Sequence, residues 1–182
     1  MSVPPDQPYL IRSFRASDLP SCQKLYVEGL IGGRIADNDT GFDIDDIEAA
    51  YMRDPQNHFW VAVAPAVDAP PGADPSTGQV VGTVGVQGHE EGVGEIRRLR
   101  VAQTHRRRGI GSALVEAALR FCQERQYLKI TLDTFMEREP AVQLFRKFRF
   151  RHGRTRRVGD KELLYFYLDL YTGGHDRPGH GG

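Results

Sequence analysis

Hydrophobic and polar positions along this chain fall into short blocks, and their spacing predicts the elements in turn. "YLIRSF" (residues 9–14) reads as a first strand. "SDLPSCQKLYVEGL" follows with apolar residues at helical spacing and Ser17 as the expected N-cap. "DIDDIEAAYMRD" predicts a second, short helix stopped at Asp54-Pro55. "HFWVAVA" (58–64) reads as a buried strand, and "QVVGTVGVQG" and "GVGEIRRLRV" as neighbouring strands joined by a turn around "HEEG". Ile110, Leu114, Ala117, Ala118, Phe121 and Cys122 form one apolar stripe, which predicts a helix over 110–125. "YLKITLDT" is the next strand. "EPAVQLFRKF" is a helix that tolerates Pro140 in its first turn and buries Ala141, Leu144, Phe145 and Phe148. "ELLYFYLDLY" closes the sheet, with "FRFRHGRTRR" as a candidate further strand.

Strands that meander first and alternate with helices later predict an α/β (α+β) fold. The expected form is a mixed, mostly antiparallel central sheet flanked by about four helices. The 182 residues suit one domain with a real core, taken as 1–171, ahead of a Gly/His-rich tail (172–182) expected to be disordered. The stretch 65–78 is a Pro/Gly/Asp/Ser loop, long for a hairpin. No apolar run approaches bilayer length, and "MSVPPDQPYL" has neither the basic nor the apolar region of a signal peptide. Two cysteines, Cys22 and Cys122, make no disulfide framework, so a reduced cytoplasmic protein without membrane contact is expected.

Net charge is zero, but it is unevenly distributed. Residues 1–91 carry 5 Lys/Arg against 14 Asp/Glu, and residues 92–182 carry 19 against 10. A basic half suits a polyanion, whether nucleic acid or a multiply phosphorylated cofactor, and an acidic half suits a cation; two solvated faces are the plain alternative. Nucleic acid is disfavoured, because no aromatics are interleaved with the arginine stretch.

The chemistry concentrates at "RRRGIGSALVEAALRFCQ", where arginines run into Gly-Ile-Gly and then directly into a helix. Free backbone amides at a helix start make a site for an anion, and glycines let the main chain approach it. A nucleotide P-loop is excluded because no lysine follows Gly111, and a dinucleotide fingerprint because position 114 is Leu.

What remains, Arg106-x-x-Gly109-x-Gly111 between "EIRRLRV" and "IGSALVEAAL", resembles the coenzyme-A pyrophosphate loop of the GCN5-related N-acetyltransferase (GNAT) superfamily. The likeness covers roughly residues 93–150, with "Ala-Val-Gln-Leu-Phe" in the later helix. It implies acetyl-CoA as co-substrate and an amine as acceptor, with direct transfer in a ternary complex. It also implies that two central strands part at a bulge. Backbone groups of Leu99, Arg100 and Val101 would line the pantetheine arm there. The amides of Arg107, Arg108, Gly109, Ile110, Gly111 and Ser112 would wrap the pyrophosphate, with arginine charge from Arg106 onward. Glu95, eleven residues before Arg106, stands where histone-type members carry their base; a strand carboxylate paired with Arg97 or Arg98, or facing solvent, is the alternative.

Two positions of the cofactor channel depart from the family. Phe145 replaces the tyrosine that protonates the leaving thiolate, and Arg138 replaces an Asn or Gln. The acid is then water, Tyr127, Tyr165 or Tyr167, or the thiolate leaves unassisted, since a thiol pKa is near ~8.5. The same departures favour a second reading, a non-catalytic acyl-CoA-binding sensor or regulatory module. Cys122 and Trp60 read as packing rather than chemistry, His58 and His89 have no paired ligands at metal spacing, and no metal site is expected. Asp37, Asp39, Asp43, Asp45 and Asp46 are expected to draw a cationic acceptor, and a homodimer is left open.

Overall fold

A computed structural model describes residues 8–171. The elements in chain order are β1 (Leu10–Ser13), α1 (Leu19–Glu28), α2 (Phe42–Asp45), β2 (His58–Ala64), β3 (Gln79–His89) and β4 (Val93–Val101). After them come α3 (Ile110–Glu124), β5 (Lys129–Phe135), α4 (Glu139–Lys147), β6 (Arg151–Val158) and β7 (Lys161–Asp169). One seven-stranded sheet runs in the order β1-β2-β3-β4-β5-β7-β6. Every neighbouring pair is antiparallel except β4 and β5. This is the mixed, mostly antiparallel sheet that the sequence predicts. Among the described residues no helix is long and apolar enough to cross a membrane.

Four local expectations need correcting. Ser17 does not cap the first helix. The buried Asp18 anchors its start instead, accepting the Arg15 N–H at 2.8 Å and both arms of the Arg12 guanidinium at 2.7 and 2.9 Å. The second helix breaks into α2 and a π-helical turn, Glu48–Met52. β7 does not close the sheet; it slots between β5 and β6, so the arginine-rich β6 is the edge. Charged side chains suit such an edge because they discourage pairing with another strand. In the helices, Val115 and Val142 are buried, while Ala117, Ala141, Leu144 and Phe148 are only half-buried. The tail lies outside the described residues.

Period-two alternation gives the sheet two cores. On one face Ala62, Ala64, Val81 and Ile96 pack with Ile110, Leu114, Val115 and Ala118 of α3 and with Val142 and Phe145 of α4. On the other, Phe59, Val61 and Val63 pack with Cys22 and Tyr26 of α1 and with Ile44, Ile47 and Tyr51. Helices therefore cover both faces of the sheet, and β4 runs down its middle with access to each.

Candidate active site

β4 and β5 are paired only where Val93, Gly94 and Glu95 meet Lys129, Ile130 and Thr131. Beyond that seam they part. Opposite Thr83 and Gly85 of β3, β4 carries an extra residue, and Arg98 takes a left-handed φ of 58°. For a non-glycine residue that conformation costs about 1–2 kcal/mol, and it persists where surroundings impose it. Here Thr83 Oγ1 donates to the Arg98 carbonyl at 2.8 Å, and the Arg98 side chain is clamped. Gly85, opposite the bulge, makes room for a ring: a Cβ there would lie 2.7 Å from Tyr51.

The gap widens into a cavity of about 560 Å³. Its walls are β4 from Glu95 to Arg100, β5 from Leu132 to Phe135, Arg138 just before α4, and Ala141 and Phe145 of α4. The α1–α2 connection and the β6–β7 turn close its far end. The carbonyls of Leu99 and Val101 accept from arginine side chains, Arg100 Nη1 at 2.8 Å and Arg106 Nε at 3.3 Å. The Leu99 and Val101 carbonyls thus face the gap, while Arg100 stays on the ladder opposite Thr83 of β3.

The loop behind the gap is built for close approach. Arg107 (φ 60°) and Gly109 (φ 81°) both sit in the left-handed region, and α3 starts at Ile110. Ala113 N–H donates to the Gly109 carbonyl at 3.0 Å, so the amides before it form the open donor end of the helix. Arg106, Arg107 and Arg108 are exposed around them. A Cβ on Gly111 would press to 3.2 Å from Leu144, so this glycine seats α3 against α4. His105 pins the loop from beneath: it is buried, with Nε2 3.1 Å from the Pro65 carbonyl and Nδ1 2.9 Å from Thr104 Oγ1. Tyr9 Oη donates to the Gly109 carbonyl at 3.3 Å. Sequence reasoning missed both pegs; the one legible hint was a histidine embedded in a polar run.

Glu95 stands at the seam end of the cavity. Its Oε2 is 2.5 Å from His89 Nε2 and its Oε1 is 3.8 Å from Arg97 Nε. The alternative reading of Glu95 as a paired strand carboxylate therefore has a partner in Arg97, but not in Arg98, and His89 is a second partner. Asp133, unforeseen from sequence, projects into the same space from β5. It is exposed along its edge, yet protein on the other sides, followed by the charge of Glu95, raises its carboxyl above the ordinary range. Tyr127 is buried elsewhere and donates to the Gln56 carbonyl at 2.6 Å, so it is no proton donor for this cavity. Tyr165 lies across the ladder from Asp133, and Tyr167 from Thr131. Phe145 is buried edge-on to Phe150 and presents only carbon to the cavity. Cys122 is buried, which pushes its thiol up to about 12, and it is inert.

The acidic cluster does not behave as its sequence suggests. Arg98 grips Asp39 and Asp43 at once, with Nη2 2.8 Å from Asp39 Oδ1 and Nε 2.8 Å from Asp43 Oδ2. Its hydrogen bonds hold Asp39 far below the usual carboxylate range. Burial works against Asp43, yet bonds from Arg98 and Tyr51 keep it low as well. Asp45 and Asp46 do not line the cavity, and of these five aspartates only Asp37 lines it exposed and outside the Arg98 pairing. Internal pairing thereby commits Asp39 and Asp43, while Asp37, Asp45 and Asp46 stay exposed.

A model of the Acetyltransferase (GNAT) family matches residues 33–150. The chain belongs to this family. GNAT relatives include N-acetylaspartate synthetase of Xenopus tropicalis, 36% identical over 111 residues, which are 60% of this chain and 36% of that protein. N-acetyltransferase 8 of Rattus norvegicus is 34% identical over 57% of this chain and 43% of its own length. This chain thus spans well under half the length of those relatives. Among solved structures, a GNAT acetyltransferase of Staphylococcus aureus Mu50 superposes with a TM-score of 0.72 at 17% identity, covering 90% of this chain and 99% of that one. Arabidopsis thaliana NAA60 in complex with a bisubstrate analogue gives 0.67 at 16%, covering 88% and 97%. At such identities the likeness is one of fold.

Proposed function

We propose that this GNAT chain is an acetyl-CoA-dependent N-acetyltransferase that moves an acetyl group directly onto an amine of a small molecule or protein. The observation that carries this reading is the parting of β4 and β5 at the Arg98 bulge, next to the exposed amide loop at the start of α3. The relatives named as N-acetyltransferases support it.

The residues fit the co-substrate. Amides from Arg107 to Ser112 supply the partial positive charge of a helix start, and Arg106–Arg108 supply full charge, for a diphosphate. The extended end of β4, Leu99 to Val101, supplies main-chain groups for the pantetheine arm and an N–H to polarise the thioester carbonyl. The acceptor must lose a proton before its nitrogen forms the new C–N bond and the C–S bond breaks. Glu95 receives that proton. At ~3.3 Å per residue it lies about 10 Å along β4 from the bulge, so the proton travels through water. The thiolate leaves past Phe145 without a side-chain acid. Two buried, unpaired cysteines are consistent with a reducing, cytoplasmic setting, which is part of this proposal.

The test is thiol release from acetyl-CoA with a panel of amines, beside calorimetry of acetyl-CoA binding. Binding with amine-dependent thiol release is expected. Binding without turnover of any amine would convert the reading to a non-catalytic acyl-CoA sensor. For the base, Glu95→Gln should lower kcat by about 10²-fold or more with acetyl-CoA affinity near normal. Equal rates in Glu95→Gln across pH, with a loss in Asp133→Asn instead, would move the role to Asp133.

A further inference from the structure

Alternation along β4 sends Leu99 and Val101 into the core shared with α3 and α4, and Arg98 and Arg100 to the opposite, α1–α2 face. On that face Arg98 has its two carboxylates, whereas Arg100 has none. Its guanidinium lies against the C-terminal end of α1, with Nη1 on the Leu99 carbonyl and Nε buried without any hydrogen-bond partner. Only a glycine permits this placement. A Cβ on Gly29 would fall 2.6 Å from Arg100 Nε, although the backbone of Gly29 (φ −85°) is one any residue could adopt.

Arg138 reaches the same spot from the start of α4. Its Nη2 donates to the Gly29 carbonyl at 2.7 Å. Among the described residues no carboxylate oxygen lies within ion-pair distance of either guanidinium. Asp39, whose field reaches Arg100, is held by Arg98, Tyr26 and the Gly41 N–H; Glu137, which reaches Arg138, is exposed. Burial first, then Arg138 and Arg98, pushes Arg100 down to about 9, and burial, then Arg106, lowers Arg138. Both still carry charge at neutral pH. A half-buried cation beside a like charge, with a buried N–H left unsatisfied, is destabilising in itself. Such a group calls for an explanation, and an anionic ligand supplies one.

Arg100 and Gly29 lie on the face of the sheet opposite the amide loop, and Arg138 reaches them through the gap from the loop's side. Arg100 also adjoins the main chain that would face the thioester, so its ligand sits within a few ångströms of the reacting carbon. Resting on the acetyltransferase reading above, we propose that Arg100 and Arg138 bind a carboxylate of the acceptor, so that the amine acetylated belongs to a small amino-carboxylate and not to a polyamine. A planar guanidinium fork suits a carboxylate, and a short amine-to-carboxylate spacing suits the distance.

The experiment compares kcat/KM on the full chain for matched acceptors: glycine with glycinamide, β-alanine with its amide, and aspartate with its diamide. The amides are the less basic amines, so more of each is free at pH 8 and the comparison is biased against the proposal. Acids should exceed amides on the order of a hundredfold in at least one pair. That preference should shrink to a few-fold in Arg100→Met, and also in Gly29→Ala, which displaces the guanidinium while keeping every charge. Wild-type protein that uses amides as well as acids, or a preference that survives in both variants, overturns the proposal while leaving N-acetyl transfer standing. Succinate, a dicarboxylate without an amine, provides a reading independent of turnover. Calorimetric binding that is lost in Gly29→Ala supports the site even if no amine is acetylated, and absence of succinate binding together with absence of acid preference sinks it. Failure of acetyl-CoA to bind, measured separately, counts against the transferase reading instead.

Discussion

At the scale of single residues, Arg98 decides the most. It accepts a left-handed backbone, forms the bulge, and pairs with both Asp39 and Asp43 through a guanidinium that is itself nearly inaccessible (7% side-chain exposure). Removing one partner of a buried ion pair leaves uncompensated charge behind, so Arg98→Met should destabilise the chain by about 3–5 kcal/mol in urea unfolding. Acid should act on the same cluster with a definite sign. Asp39 and Asp43 are depressed in the fold, so their contribution is complete above the unfolded carboxylate value near ~3.9 and is lost as pH falls below it. A plot of unfolding free energy against pH should therefore turn down below about pH 4 and turn down less in Asp39→Asn. None of this pairing was legible in the sequence. "DNDTGFDIDD" reads as free acid throughout, because the arginine that pairs with Asp43 and Asp39 lies 55 and 59 residues further along.

Elements carry the next level of evidence. The strand–loop–helix block from β4 through α3 was legible almost to the residue, since its apolar stripe, its glycines and its arginines all point to one structure. Gly109 is the sharpest check on it. At φ 81°, Gly109→Ala should cost about 1–2 kcal/mol of stability and weaken acetyl-CoA binding by calorimetry. The pegs under the loop were not legible, because a lone histidine in a polar run carries no spacing signal. His105→Ala should leave the Pro65 carbonyl unpaired, with a loss of about 1–3 kcal/mol in thermal or urea melts. The order of the last two strands was equally hidden. Both β6 and β7 read as strands, and only the burial of Leu163, Leu164 and Phe166 puts β7 inside and leaves β6 at the rim.

The whole molecule separates its charges by position more than by chain half. Asp39 and Asp43 of the N-terminal half turn inward to Arg98, while Arg106–Arg108 and the β6 arginines stay in solvent. Screening should therefore weaken acetyl-CoA binding, with calorimetric affinity falling several-fold between 0.05 and 0.5 M salt in roughly the measure expected for exposed charges. The sheet itself is two plates, β1–β4 and β5–β7–β6, hydrogen-bonded to each other through three residues on each side at one end. A joint so short acts like the rivet of a pair of tongs: small rotations at the seam become large openings at the Arg98 end. Whatever lies along the gap sews the plates together, so amide deuterium uptake in β5 and the second half of β4 should slow on loading far more than in β2 or β3.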